Sequence, residues 1–250
     1  MTPAPSPARS GLVKICGLTE RAALDAALLA GADMVGLVFV EASPRSVTPA
    51  AAAPLAFRAK SEAAVVGLFQ NPALSDIEEV LERVPLDLLQ LHGDEDDETV
   101  SRVAAAFGLP VVKAFGVRTR ADFYAAAGCP ASLALYDARP PDGQGAGGGH
   151  GSAFDWRLLD AAAPHPPWLL AGGLTPDNAA GAVLSARDRP GFAGLDVSSG
   201  VERSRGVKEP ALIARFVAAA RAAMAARPED AAAVSARSEG TAVDAAQRGD

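Results

Sequence analysis

The hydrophobic positions of this chain fall into short continuous runs, and each run is followed by a longer stretch with helical spacing. Runs that are apolar throughout are typical of parallel strands buried on both faces. Eight strands are predicted, at 12–16, 34–39, 64–68, 86–90, 111–115, 132–136, 168–171 and 194–197. The helical stretches lie at 21–30, 49–60, 74–84, 96–107, 119–127, 156–162, 176–185 and 209–226. The pattern therefore predicts eight strand-then-helix units.

Residues that begin and end helices support this order. Hydroxyl side chains stand where an N-cap would accept a backbone N–H, at Thr19, Thr48, Ser75, Thr119 and Thr175. Two of these helices place proline at the first helical position, Pro49 and Pro176, where a missing N–H costs nothing. Gly31 and Gly108 stand where helices should stop.

The predicted fold class is α/β, a closed (β/α)8 TIM barrel in a single domain. A chain of 250 residues suits one such barrel. The alternative is an open doubly wound sheet, but no GxGxxG follows the first strand and the glycines cluster after strands six to eight. We expect a flexible extension at 1–10, the barrel at 11–226 and a disordered tail at 227–250. The glycine-rich stretch 140–151 is predicted to be a mobile active-site loop.

Composition excludes several classes of protein. The net charge of −7 argues against a general nucleic-acid binder, which needs a basic face. The two cysteines, Cys16 and Cys129, form neither a disulfide framework nor a spacing that suits zinc. The first ten residues lack the apolar segment of a secretory signal. The chain has no run of about 18 apolar residues, so we expect no membrane span. We expect a reduced, cytoplasmic protein without a metal ion.

The fold restricts where chemistry can occur, since barrel active sites lie at the carboxyl ends of the strands. Six positions qualify: Cys16, 43–45, 90–92, Asp137, 172–173 and 198–200. In LLAGGLTPDN and GLDVSSGVE, glycines let the backbone approach an anion, so bare N–H groups predict a phosphate site after strands seven and eight. The alternative is that these glycines only serve tight turns.

Two side chains are candidates for proton transfer. Cys16 ends strand one, and near cations a thiol can lose its proton near neutral pH; it could equally be a small buried hydrophobe. Lys14 points to the same side of the strand, toward the barrel interior, where a lysine requires an anionic partner. Asp137 follows strand six and could protonate a leaving oxygen or serve as a loop cap.

Two further polar residues are candidates for binding. Arg45 in SPRSVTP could clamp a carboxylate or phosphate through its planar fork, or lie on the surface. His92 in LQLHGDE could shuttle protons, although we favour a role in holding its loop by hydrogen bonds.

Taken together, the chain resembles phosphoribosylanthranilate isomerase over roughly 12–220. The resemblance rests on stretches that occur in the family's order: VKICGLT, GADMVGLVF, SPRSVTP, VVGLFQNP, LDLLQLHGDE, VVKAFGV, GSAFDW, LLAGGLTPDNA and LDVSSGVE. It implies an Amadori rearrangement in L-tryptophan biosynthesis, which converts N-(5-phosphoribosyl)anthranilate to 1-(2-carboxyphenylamino)-1-deoxyribulose 5-phosphate without a cofactor.

The resemblance also implies roles for particular residues. Cys16 matches the family's general base, Asp137 its general acid and Arg45 its contact with the anthranilate. Lys14 and His92 complete the expected substrate contacts, and the phosphate would be held by Gly172, Gly173, Ser198, Ser199 and Gly200. A monomer is expected more than a homodimer, with a small phosphorylated molecule as the partner.

Three other functions compete with this one. The related isomerase of histidine biosynthesis has aspartate at the position of Cys16, and indole-3-glycerol phosphate synthase needs a catalytic lysine pair that has no match here. A sugar-phosphate sensor without catalysis would not need both Cys16 and Asp137.

Overall fold

Eight parallel strands close into a barrel in the order β1 to β8. The structure is a computed structural model that describes residues 11–119, 122–123, 126, 128–138 and 166–226. The barrel strands are β1 (Leu12–Cys16), β2 (Met34–Val38), β3 (Ala64–Phe69), β4 (Leu88–Leu91), β5 (Val111–Val117), β6 (Leu133–Ala138), β7 (Trp168–Leu170) and β8 (Phe192–Val197). The predicted closed barrel is confirmed, and the open sheet is excluded because β1 pairs with β8.

Helices surround the strands. They are α1 (Arg21–Ala30), α2 (Pro49–Ala59), α3 (Leu74–Leu81), α4 (Asp97–Phe107), α5 (Ala179–Ala186) and α6 (Pro210–Ala225). After β8 the chain makes a 3₁₀ turn at Ser199–Val201 and a short hairpin of β9 (Glu202–Ser204) and β10 (Val207–Lys208). Among the described residues, no helix is long and apolar enough to cross a membrane. The predicted helix at 156–162, the loop at 140–151 and both predicted terminal segments lie outside the described residues.

The helix boundaries test the predicted caps. Thr48 accepts the Ala51 N–H, Pro49 opens α2, and Gly31 and Gly108 end their helices in the left-handed region. The caps predicted at Thr19 and Ser75 are wrong, because α1 follows Glu20 and α3 follows Ala73, neither with a side-chain cap. The cap predicted at Thr175 and the helical start at Pro176 are also wrong, since α5 begins at Ala179 after Asn178. The hydroxyl and N–H of Thr119 both donate to Asp122.

The strands are buried on both faces, as their apolar runs require. Their outward side chains pack against the helices, whereas an inner cluster fills the barrel: Leu12, Met34, Val66, Leu88, Val112, Ala114, Leu133, Leu135, Leu169, Ala171 and Ala193. Closure between β1 and β8 depends on Gly194, which has φ +153, because a Cβ atom there would lie 1.9 Å from the Leu12 carbonyl oxygen. The ring therefore brings the strand ends to one mouth.

Candidate active site

Cys16 and Asp137 both point into the mouth at the carboxyl ends of the strands. Cys16 is the last residue of β1 and shares the inward face with Leu12, which belongs to the inner cluster. Asp137 shares the inward face of β6 with Leu133 and Leu135. The thiol is buried, with 4% of its residue surface exposed, whereas 23% of the Asp137 side chain is exposed. The two predicted proton-transfer groups thus line the same mouth.

Cys16 lies beside a buried ion pair. Lys14, two residues earlier on β1, donates from Nζ to Asp196 Oδ1 on β8 at 2.7 Å. Space for the sulfur comes from Gly36 on β2, where a Cβ atom would lie 2.8 Å from Cys16 Sγ. Burial raises the pKa of the Cys16 thiol, and Asp196 adds to this rise, although Lys14 and Lys208 act to lower it. Burial thus opposes ionisation of the thiol, and the expected loss of its proton near neutral pH stays a prediction.

Arg45 is engaged by a carboxylate of the chain itself. Its Nε and Nη2 atoms donate to the two oxygens of Glu202 at 2.6 and 3.1 Å. Lys208 Nζ donates to Glu202 Oε1 at 2.9 Å and to the Ser198 carbonyl oxygen at 2.8 Å, and the Gly206 N–H also donates to Glu202. Burial acts to raise the pKa of Glu202, but these donors bring it down to about 2. The β9–β10 hairpin is thereby tied to the loop after β2, and one edge of the Arg45 fork is already occupied.

On the opposite wall, Asp137 meets a histidine that is held by a buried amide. His92 Nε2 lies 3.4 Å from Asp137 Oδ2, and His92 Nδ1 lies 2.9 Å from Gln90 Nε2. A Gln90 amide that donates leaves the ring proton on Nε2, facing Asp137. Gln90 Oε1 then has no partner among the described residues. With the amide reversed, Gln90 Oε1 accepts from Nδ1–H, and His92 Nε2 becomes the acceptor that faces Asp137.

The loop that carries His92 is fixed from behind by a second buried ion pair. Lys113 on β5 donates to Glu95 Oε2 and the Gly93 carbonyl oxygen, both at 2.8 Å. Glu95 also accepts the N–H groups of Asn71 and Gly93. Burial acts to raise the pKa of Glu95, but the hydrogen bond from Lys113 and that from the Asn71 N–H lower it overall. These contacts hold the loop without the His92 side chain, so the expected role of His92 in holding its loop by hydrogen bonds stays a prediction.

The loops after β7 and β8 meet where the phosphate site is predicted. Gly172 and Gly173 have φ values of 82 and 62, a conformation that strongly favours glycine. Among the described residues, none accepts a hydrogen bond from either N–H group. Gly200 packs so closely on this loop that a Cβ atom would lie 1.7 Å from the Leu174 carbonyl oxygen. The loop that contains Ser198, Ser199 and Gly200 is therefore held directly against the Gly172–Gly173 turn.

Sequence reasoning missed four buried partners: Gln90 as the support of His92, and Asp196, Glu202 and Lys208. Asp196 had a usable signal, because Lys14 required an anion and Asp196 is the charged residue of the predicted eighth strand, which neighbours the first strand in a closed ring. Glu202 and Lys208 gave no such signal, since the hairpin follows the last strand as an insertion before α6. Within the described ranges, no group of three or more His, Cys, Asp or Glu side chains could hold a metal ion.

Comparisons with known proteins agree with this geometry. The sequence model of the family described as N-(5'phosphoribosyl)anthranilate (PRA) isomerase matches residues 13–219. The N-(5'-phosphoribosyl)anthranilate isomerase of Paracoccus denitrificans is 50% identical over 212 residues, which cover 84% of this chain and 97% of that protein.

Solved structures give the same result. The phosphoribosyl anthranilate isomerase of Thermotoga maritima has a TM-score of 0.74 at 33% identity, and the match covers 85% of this chain and 99% of that one. A phosphoribosyl anthranilate isomerase in complex with reduced 1-(o-carboxyphenylamino)-1-deoxyribulose 5-phosphate has a TM-score of 0.71 at 30% identity, with the same two coverages. The chain therefore belongs to the N-(5'-phosphoribosyl)anthranilate isomerase family.

Proposed function

We propose that this chain converts N-(5-phosphoribosyl)anthranilate to 1-(2-carboxyphenylamino)-1-deoxyribulose 5-phosphate in L-tryptophan biosynthesis, with Asp137 as general acid and Cys16 as general base. The observation that carries this proposal is the placement of a thiol and a carboxyl in one barrel mouth, beside two glycine loops with N–H groups available to an anion. The identity of the substrate is inferred from membership of the family.

The rearrangement needs two proton transfers. Asp137 protonates the furanose ring oxygen, and the bond from that oxygen to C1′ breaks as the anthranilate nitrogen forms a Schiff base with C1′. Cys16, as the thiolate, removes the proton on C2′, and the electron pair forms the double bond of an enolamine. Tautomerisation then gives the ketone at C2′. Each positioned proton transfer is typically worth about 10²–10⁴ in rate.

Binding contacts follow from the same geometry. The phosphate is held by backbone groups of Gly172, Gly173, Ser198, Ser199 and Gly200, which fixes the sugar across the mouth. Arg45 contacts the anthranilate carboxylate through the N–H groups that Glu202 leaves available. His92 contacts Asp137 and orients it toward the ring oxygen. Lys14 lies beneath the substrate site rather than in it, because its side chain is fully buried.

We also propose the cellular location of the protein, its oligomeric state and the extent of its catalytic domain. A catalytic thiol has to remain reduced, and both Cys16 and Cys129 are free thiols, which supports a cytoplasmic location. We propose a monomer, the state that the family resemblance favours. We propose that the barrel domain at 11–226 carries the chemistry, since every residue assigned a role lies within it.

Loss of substrate fluorescence tests the assignment of the two residues. Asp137→Asn and Cys16→Ser should each lower kcat at least about 100-fold, because each removes one proton transfer. Cys129→Ser is the matched control, since it alters the other buried thiol away from the mouth and should retain turnover. Inorganic phosphate should compete with the substrate. Normal turnover by the double variant of Cys16 and Asp137 would refute the proposed mechanism.

A further inference from the structure

Two strands of the barrel, β1 and β5, each carry a lysine that is almost completely buried, and the surroundings of these two lysines differ. Lys113 has three oxygen acceptors, the Glu95 carboxylate and the carbonyl groups of Gly93 and Ala114, at 2.8, 2.8 and 3.1 Å. Lys14 has one oxygen acceptor among the described residues, Asp196 Oδ1 at 2.7 Å. Cys16 lies two residues further along β1, on the same inward face. The Lys14 ammonium therefore retains N–H groups that no oxygen among the described residues accepts, beside the proposed base.

The arrangement is built into the closure of the barrel. Lys14 on β1 is in register with Asp196 on β8, and the alternation of side chains along β1 brings Lys14 and Cys16 to the same inward face. Burying two opposite charges seldom stabilises a fold more than a well-packed apolar pair of similar volume. Stability therefore does not explain an ion pair placed directly beside the proposed base.

The charges around Cys16 can be counted from each neighbouring element. Lys14 and Asp196 cancel one another, and β2 contributes no charged side chain. From the hairpin and the loop after β2 come Lys208, Glu202 and Arg45, which together carry one net positive charge. A thiolate at Cys16 brings the net charge of these side chains to zero. Removing Lys14 makes the surroundings of the thiol more negative, and removing Asp196 makes them more positive.

We propose that Lys14 and Asp196 are positioning residues for Cys16: the Lys14 ammonium stabilises the thiolate that removes the C2′ proton, and Asp196 fixes this ammonium and limits how far it ionises the resting thiol. The role in catalysis rests on the proposed function. Burial acts to lower the pKa of Lys14, but Asp196 and Cys16 raise it overall, so the ammonium stays charged at neutral pH.

Titration of the thiol tests this proposal without turnover. In a Cys129→Ala background, the ultraviolet absorbance of the thiolate reports Cys16 alone, and Cys16→Ser supplies the blank. Lys14→Met should raise the titration midpoint by about 1–3 pH units, because a neighbouring cation is lost. Asp196→Asn should lower the midpoint by about 1 unit, because the anion that opposes the thiolate is lost while Lys14 remains.

The matched control is Lys113→Met, which removes the buried, carboxylate-paired lysine of β5 and should leave the Cys16 midpoint unchanged. A merely structural role would move both test variants in the same direction or leave both at the wild-type midpoint, and either result would overturn the proposal. Should Lys14→Met fail to fold, Asp196→Asn alone decides, since it keeps the size of the side chain and predicts a downward shift.

The pH profile of kcat separates this proposal from the proposed function. Because the base must be ionised, the ascending limb should follow the thiol, so Lys14→Met loses at least about 10-fold at neutral pH and recovers at higher pH. In Asp196→Asn the limb should move to lower pH. If Cys16→Ser retains full turnover, the assignment of Cys16 as the base is wrong. The thiol titration is independent of that result: opposite shifts in Lys14→Met and Asp196→Asn still show whether Lys14 and Asp196 control the ionisation of Cys16.

Discussion

At the amino-terminal end of the barrel, Asp33 and Asp87 bind backbone N–H groups, whereas at the carboxyl-terminal end Asp196 and Glu202 hold the cations around a thiol. Asp33 precedes β2 and accepts the Val13 N–H at 2.7 Å; Asp87 precedes β4 and accepts the Val65 N–H at 2.9 Å. In both cases the aspartate N–H also donates to the carbonyl oxygen of the same residue on the neighbouring strand. These carboxylates complete the hydrogen bonds of the sheet.

The two ends use their cations differently as well. Asp33 and Asp87 pair with Arg221 and Lys60, which are more than a third exposed. The partners at the mouth, Lys14 and Lys208, are almost completely buried. Among the described residues, Asp196 alone supplies an oxygen acceptor to Lys14, whereas Glu202 and Ser198 supply those of Lys208. The same residue types therefore close the sheet at one end and control charge at the other. We expect substitutions at the first end to change stability alone and those at the mouth to change both stability and activity.

Glu202→Gln should give the largest effect on stability. It leaves Lys208 and Arg45 without their shared anion, and loss of one partner from a buried pair costs on the order of 3–5 kcal/mol. The low pKa of Glu202, about 2 against an ordinary 4.5, corresponds to about 3 kcal/mol of stability at neutral pH. Urea unfolding at pH 7 measures the loss, and kcat/KM should fall with it.

The pH dependence of this difference follows from the sign of the shift. A carboxylate whose pKa is depressed on folding stabilises the fold above its unfolded value, near 4.5, and loses that contribution as the pH falls toward about 2. The gap in unfolding free energy between wild type and Glu202→Gln should therefore narrow from pH 5 toward pH 2. A difference that stays constant over this range would show that folding does not lower the pKa of Glu202.

Asp33→Ala should give an intermediate effect, confined to stability. The Val13 N–H loses its acceptor and Arg221 loses its anion, so the free energy of unfolding should fall by about 1–3 kcal/mol. Turnover should stay within about twofold of wild type, since a purely structural contact supplies no transition-state interaction. Asp87→Ala offers a matched comparison, and a large fall in kcat in either variant would contradict the division between the two ends.

Lys60→Ala should have the smallest effect. Lys60 pairs with Asp87 at 3.1 Å, but its side chain is 39% exposed, and such pairs contribute about 0–1 kcal/mol. The melting temperature should change little at low salt and not at all at high salt. If Lys60→Ala destabilises as much as Asp87→Ala, the charge pair rather than the backbone hydrogen bond to Val65 dominates at this end.

The sequence predicted the strands well because each is buried on both faces and reads as a short, mostly apolar run. Helix starts were less predictable, since a cap depends on which nearby side chain wins the competition for a free N–H. At α3, Asp76 accepts the Ala73 N–H in place of the predicted Ser75 cap. Before α5, Asn178 accepts the Thr175 N–H, and the chain turns once more before the helix begins.

The candidate site was likewise predictable in part: its positions could be predicted from the sequence, but the partners of its side chains could not. Positions at strand ends, such as Cys16 and Asp137, follow from the order of elements, because a closed barrel directs all strand ends to one mouth. Side-chain partners do not follow: Lys14 and Asp196 are 182 positions apart in the sequence, and only closure brings them together. The direction of the Cys16 pKa shift was hard to predict for a related reason, because it depends on burial and on how far Asp196 balances the charge of Lys14.

Arg221 joins the two ends of the barrel chain. From α6 it donates to the carbonyl oxygens of Gly11 and Gly31 and to Asp33, so the last helix is fastened to the start of the first strand and to the turn after the first helix. The first and last strand–helix units are therefore in contact, as consecutive units elsewhere in the barrel are. Which unit is translated first is a matter of gene order rather than of architecture, and a circularly permuted chain that opens at a surface loop would present the same mouth.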